Sequence, residues 1–153
     1  MSVLESAPVS PQVLPAVLFV CTFNRVRSPM AAGLMRRLYG DQVRVASCGL
    51  EPGDEVDPLA AAVMAEVGVD LTEHLPQRLG DRVREGGFDL IVALSREAWT
   101  EAEASAEGFD VLHWPTLDPT ESEGSRDSRL EAYRLTRQAL QARILERFGP
   151  AQA

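Results

Sequence analysis

The sequence predicts an α/β fold, a three-layer α/β/α arrangement around an open, four-stranded parallel sheet. Three observations lead there. Short apolar runs without a polar face, Ala16 to Val20 and Phe88 to Leu94, suit central strands that are covered above and below. Stretches of helical period separate them, and Gly, Pro and Asp-Pro mark the changeovers. Strand and helix alternate along the whole chain, which is the pattern of crossover connections between parallel strands.

The 153 residues suffice for one domain with a real core. Met1 to Pro15 is rich in Ser, Pro and Val without periodicity and is expected to be a flexible leader (residues 1–15), with a single domain over 16–150. Ala16 to Val20 is the first strand. After a loop, Pro29 sits in a first helical turn, and Met30, Leu34 and Leu38 recur every four residues until Gly40. Val43 to Ser47 reads as the second strand. Asp57-Pro58 caps and starts a helix through Val67, closed by Gly68. Phe88 to Leu94 is the third strand, and Ser95 caps a helix carrying Trp99 and Ala102. Val111 to His113 is the fourth. The turn-rich segment from Pro115 to Ser128 leads into a long amphipathic helix marked by Leu130, Tyr133, Leu140, Ile144 and Phe148.

Fifteen basic against 23 acidic residues give a net charge of −8, which speaks against a general nucleic-acid or anionic-membrane binder. Any phosphate must be captured locally. No apolar run approaches the roughly 18 residues of a membrane span. Two cysteines, Cys21 and Cys48, make no disulfide framework, so a cytoplasmic setting is expected; the oligomeric state is left open.

The chemistry is concentrated between the first strand and its helix. Ligands of open α/β sheets bind beyond the carboxyl ends of strands, where Cys21 stands. From there Thr22, Phe23, Asn24, Arg25, Val26, Arg27 and Ser28 form a loop whose amides can converge on an anion at a helix N-terminus. That field, with Arg27 and the Ser28 hydroxyl, should favour the Cys21 thiolate and make it nucleophilic. The Arg27 fork matches two oxygens of a tetrahedral dianion. A lone cysteine at a buried strand end is commonly just a small hydrophobe. The complete pattern of cysteine, five residues, Arg-Ser and a first-turn proline argues otherwise.

At these residues the chain resembles the low-molecular-weight protein tyrosine phosphatases and the arsenate reductases that share their fold. The resemblance runs from about Val17 to Phe148. It is carried by Val17 to Cys21, Asn24, Arg27 to Ala31 and the late pair Asp118-Pro119. It implies a phosphatase-I-like fold, a cysteinyl-phosphate intermediate on Cys21 and no cofactor or metal. Asp118 would be the general acid to the leaving group and then the base toward water, while Asn24, Ser28, Ser47 and His74 would support the loop. Phosphate, sulfate or arsenate would occupy the loop. The expected partner is a phosphorylated protein or a small aryl phosphate.

The chain also departs from the family pattern. Phe23 stands where these phosphatases usually have glycine, and Val26 replaces a second loop cysteine that could trap an oxidised nucleophile. Thr120 to Ser125 is polar where tyrosine phosphatases place aromatic residues, which resembles the arsenate-reductase branch. No cysteine follows Cys48, so a reductase would depend on an external small thiol, and Pro29 favours the phosphatase branch. Cys48 itself reads as a buried structural residue. The first expectation is a phosphomonoesterase acting on phosphotyrosine. A thiol-dependent arsenate reductase is the second, and a non-catalytic phosphate-binding module is the third.

Overall fold

The computed structural model describes residues 14–105 and 108–150; most of the expected leader, residues 1–13, lies outside them. Four parallel strands, β1 (Val17–Cys21), β2 (Val45–Gly49), β3 (Leu90–Ala93) and β4 (Asp110–His113), lie in the order β2-β1-β3-β4. Five helices flank them: α1 (Arg27–Tyr39), α2 (Pro58–Ala65), α3 (Leu79–Glu85), α4 (Arg96–Ser105) and α5 (Arg126–Phe148). After β2 the chain crosses back over β1 to β3. The carboxyl end of β1 therefore lies at the topological switch point, where the two halves of the sheet part and leave a crevice.

Alternation along β1 splits the core in two. Val17, Phe19 and Cys21 face α1, α2 and α5, packed with Met30, Leu34, Val63, Met64, Leu140 and Ile144. Leu18 and Val20 face α3 and α4 with Cys48, Leu79, Ile91, Ala98 and Ala102. Every residue of β1 is buried, as a double-sided strand requires. Removing each large apolar side chain from water contributes about 1.5–3 kcal/mol.

Helix ends follow the local chemistry. Asp57 accepts hydrogen bonds from the Leu59 and Ala60 amides at 2.8 and 3.3 Å and starts α2, with Pro58 at a position that needs no donor. Ser95 and Ser125 do the same for α4 and α5, accepting from Ala98 and Ser128. The Gly68 expected to close α2 does lie in the left-handed region, yet regular helix stops earlier, at Ala65, in a turn through Val67. Helix α1 begins at Arg27, with Pro29 still inside the first turn.

Three further differences from expectation have physical causes. Strand β2 starts at Val45 rather than Val43, because the ladder with β1 begins only after the Arg44 carbonyl accepts the Val17 amide. Helix α3 is additional; its seven residues bury only Leu79 and leave no apolar stripe to read. Leu14, inside the expected leader, packs against the larger core cluster. The edge of β2 is covered by the chain around α3. Gly49 donates to the Gln77 carbonyl at 2.8 Å, Arg36 Nη2 to the Val45 carbonyl at 2.9 Å and Arg82 Nε to the Ser47 carbonyl at 3.3 Å. The edge carbonyls are thus occupied. Among the described residues no helix is long and apolar enough to cross a membrane.

Candidate active site

The loop from Cys21 to Ser28 owes its shape to where its carbonyls go. Those of Cys21, Thr22, Phe23 and Arg25 accept the amides of Leu50, Glu51, Gly53 and Asp57 at 2.9–3.2 Å, and the Asn24 carbonyl accepts Nε2–H of His74 at 2.9 Å. In a trans peptide each N–H points opposite to the preceding C=O. Five carbonyls turned outward therefore turn the following amides inward. The amides of Thr22 to Arg27 have no acceptor among the described residues. The loop is a cradle of donors at the start of α1, suited to a tetrahedral anion.

Asn24 holds the cradle from behind. It is fully buried and has φ +55°, a left-handed conformation that asparagine tolerates better than other side chains. Its Nδ2 donates to Ser28 Oγ at 2.7 Å and to Ser47 Oγ at 3.0 Å, and its Oδ1 accepts the Gln77 amide at 2.8 Å. Ser47 lies on β2, and His74 comes from the turn after α2. The four expected support residues, Asn24, Ser28, Ser47 and His74, thus form one connected network. Because the Asn24 carbonyl can only accept, His74 carries its proton on Nε2. Burial pushes the His74 pKa down, and the neighbouring charges of Arg36 and Arg82 act in the same direction. Gly49 faces the loop at close range: a Cβ there would meet backbone atoms of Thr22, Phe23 and Asn24 at 2.8–2.9 Å.

The sulfur of Cys21 is the innermost atom of this arrangement and only 2% of the residue is exposed. Ser28 Oγ lies 2.8 Å from it, and the Ser28 amide, an unpaired donor of the first turn of α1, points at it from 3.4 Å. The Ser28 hydroxyl has one hydrogen and two acceptors, Cys21 Sγ and the Cys48 carbonyl at 3.2 Å. An anionic sulfur draws that hydrogen to itself. Cys48 belongs to the opposite core cluster, on the other face of the sheet from Cys21. A bridge between them would need side chains that point apart to converge. Burial raises the Cys48 pKa and the nearby Cys21 adds to the effect, so Cys48 stays a thiol.

Arg27 and Asp118 close the site from the β4–α5 connection. Arg27 Nη1 donates to the Thr116 carbonyl at 3.0 Å, and its Nη2 lies 3.9 Å from Asp118 Oδ2. Asp118 Oδ1 is held by the Thr120 amide at 3.0 Å and the Thr120 hydroxyl at 2.7 Å, so Oδ2 is the oxygen left to face the cleft. The cleft above Cys21 has a volume of about 220 Å3, and its walls include Phe23, Arg25, Val26, Arg27, Asp118 and Thr120. Phe23 is 49% exposed and forms part of the cleft wall. Thr22, also in the loop, turns its hydroxyl toward Ser95, 3.4 Å away.

Asp57, Arg129 and Tyr133 also line the cleft, and sequence reasoning assigned none of them to it. Asp57 and Tyr133 were legible only as a cap and a core position. The Tyr133 hydroxyl donates to Asp57 Oδ2 at 3.1 Å, and burial together with that carboxylate pushes its pKa up. Among the described residues no group of three His, Cys, Asp or Glu side chains is placed to hold a metal ion.

Comparison with known proteins identifies the family. Residues 16–143 match the sequence pattern of the low molecular weight phosphotyrosine protein phosphatases. An arsenate reductase of Halalkalibacterium halodurans is 30% identical over 128 residues, spanning 84% of this chain and 91% of that protein. The arsenate reductase of Bacillus subtilis is 27% identical over 130 residues, spanning 85% and 92%. Among solved structures, Vibrio vulnificus Wzb in complex with benzylphosphonate matches with a TM-score of 0.66 and 27% identity, over 86% of this chain and 98% of that one. An arsenate reductase in its phosphate binding state matches with a TM-score of 0.65 and 27% identity, over 87% and 95%. The cradle on β1, the sheet order and these relatives together place the chain in the low molecular weight phosphotyrosine protein phosphatase family, whose members include cysteine-based phosphatases and reductases.

Proposed function

We propose that this chain is an enzyme that forms a covalent adduct between Cys21 and a tetrahedral oxyanion. The observation that carries the reading is the set of inward-turned amides around a buried sulfur, with Arg27 and Asp118 above it. Such donors stabilise charge where it develops, in a site already arranged for it. A reducing cytoplasm would keep Cys21 available.

Two reactions fit this site, and the named relatives lean toward the first, arsenate reduction. The Cys21 thiolate attacks arsenic, and a water leaves as Asp118 supplies its proton. A small thiol then attacks the Cys21 sulfur, the S–As bond breaks with its electron pair going to arsenic, and arsenite departs. The mixed disulfide on Cys21 is cleared by a second thiol, which restores the thiolate and leaves an oxidised thiol dimer. The thiol must come from outside, since the chain's other cysteine faces the opposite side of the sheet.

Hydrolysis of phosphate monoesters is the second reading, favoured by Asp118 Oδ2 facing the cleft and by Phe23 at its rim, an aromatic surface for an aryl group. Here Cys21 attacks phosphorus in line, the leaving oxygen takes its proton from Asp118, and water activated by Asp118 then cleaves the thiophosphate. Phosphotyrosine is the default substrate class of this reading.

One experiment separates the readings. Purified protein is given an aryl phosphate and, separately, arsenate with a panel of small thiols, alongside Cys21→Ser and Asp118→Asn. Thiol-dependent arsenite formation that vanishes in Cys21→Ser supports reduction. Aryl phosphate turnover that vanishes in Cys21→Ser and falls about 100- to 10,000-fold in Asp118→Asn supports hydrolysis. If neither substrate is consumed, and neither becomes bonded to Cys21, the enzyme reading fails.

A further inference from the structure

The charges that line the cleft do not cancel. Three arginines, Arg25, Arg27 and Arg129, meet two carboxylates, Asp57 and Asp118. Both carboxylates are committed: Asp57 caps α2 and accepts the Tyr133 hydroxyl, while Asp118 is held by Thr120 and faces Arg27. Arg27 is committed to the Thr116 carbonyl and Asp118. Arg25 spends only its Nε, on the Glu55 carbonyl at 2.8 Å, and its side chain is held against Gly53, where a Cβ would come within 2.4 Å of Arg25 Cδ. The Arg129 side chain has no hydrogen-bond or ion-pair partner among the described residues. In a chain of net charge −8 the cleft thus carries one excess positive charge, and Arg25 and Arg129 are its guanidiniums without an ion-pair partner among the described residues.

We propose that Arg25 and Arg129 form a second anion subsite beside the Cys21 cradle, so that a molecule entering the cleft carries a carboxylate or phosphate besides the reacting oxyanion or thiol. The inference rests on Cys21 being the reacting atom and names the substrate class of that same site. The cleft's 220 Å3 is roughly 6 Å across and smaller than drug-sized sites, which places the second anion close to the first and makes the ligand a small molecule. Guanidinium forks bind such groups with two parallel hydrogen bonds. Under phosphate hydrolysis the second anion belongs to the ester; under arsenate reduction it belongs to the resolving thiol.

Alkylation of Cys21 reads the subsite without turnover. Iodoacetate and iodoacetamide both form the S–C bond and release iodide, and they differ in one negative charge. The rate ratio of iodoacetate to iodoacetamide at Cys21, followed by peptide mass spectrometry, is compared in the native protein, Arg129→Gln, Arg129→Lys, Arg25→Gln and a control at exposed Arg143, 14 residues along α5 from Arg129, Arg143→Gln. A drop of about tenfold in Arg129→Gln and Arg25→Gln, with Arg129→Lys near native and Arg143→Gln unchanged, is the expected result. A ratio in Arg129→Gln equal to native, in protein whose melting is native-like, overturns the subsite even if the enzyme turns over. No reaction of Cys21 with either reagent overturns the nucleophile reading, and the subsite with it.

Two arms then locate the source of the second anion. One compares protection of Cys21 by phosphonoacetate with that by inorganic phosphate. The other compares mercaptosuccinate with 2-mercaptoethanol as reductants of arsenate. An Arg129-dependent advantage in either arm supports the proposal and names the source. An advantage in neither overturns the small-molecule class.

Discussion

Asn24 concentrates more of the site's support in one side chain than any other loop residue. It adopts a conformation that most residues resist, and its amide reaches the loop, β2 and the segment before α3 at once. Replacing it with alanine leaves the Gln77 amide without its acceptor, removes the donor that fixes the Ser28 hydroxyl, and puts a residue with less tolerance at φ +55°. Asn24→Ala is expected to lower stability by about 2–4 kcal/mol, the sum of an unsatisfied buried amide and a strained backbone position. It should also weaken phosphate binding at least tenfold, because the cradle amides lose their common centre. Urea unfolding and calorimetric phosphate titration check the two effects; native phosphate affinity in the variant would mean that the loop keeps its shape unaided. The places of Cys21, Arg27 and Ser28 in the loop were legible because they lie within eight residues whose order encodes a strand end, a turn and a helix start, while support from Asn24 was expected only from the family resemblance. Arg129 was not legible, since in the sequence it is one of several arginines on its helix and its half-buried place depends on how α5 docks.

Among the elements, the pair α2 and α5 shows how a residue read correctly as local structure can have a second, unread role. Asp57 was recognised as a cap from Asp-Pro followed by apolar residues, and it does cap α2. Its other oxygen accepts Tyr133 of α5, 76 residues away, a contact no local pattern encodes. The same two helices are tied at their far side by Glu66, which binds Arg134 and Arg137; those hydrogen bonds hold its carboxyl down to about 2. Strands were easier to read than their limits, because an apolar run marks burial while the ladder marks pairing. Short α3 escaped because a single buried leucine carries no period. Asp57→Ala should cost about 2–3 kcal/mol, combining a lost cap with a stranded tyrosine hydroxyl. In the double variant Asp57→Ala/Tyr133→Phe part of that loss should return, a coupling that thermal melts of the four proteins measure. Tyr133 should also ionise at lower pH in Asp57→Ala, since a negative neighbour has gone, and absorbance of tyrosinate follows it. A loss in the double variant equal to the sum of the two single losses would show that the two groups are not coupled.

At the scale of the whole molecule, the site's second support comes from the edge of the sheet. His74, Arg36 and Arg82 gather along β2, where the arginines cap edge carbonyls and His74 caps the loop. The carboxylates near this cluster are few: Glu85 binds Arg82 and Arg44 at the exposed end of α3. A second proton on His74 would therefore enter a half-buried position facing two fixed positive charges, and its folded-state pKa lies below the usual 6.5 for that reason. The unfolded chain takes up the proton near 6.5 and the folded chain only at lower pH, so between those values the unfolded state binds more protons. The stability that neutral His74 provides is complete above pH 6.5 and is lost as the pH falls through the folded value. Melting temperature should decline from pH 7.5 toward 5. His74→Gln, which retains a donor for the Asn24 carbonyl, should decline less over the same range and begin from a similar value at pH 7.5. Titration of carboxylates elsewhere is common to both proteins and cancels in the comparison. Parallel pH profiles of melting in native and His74→Gln proteins would show that His74 is not the group responsible.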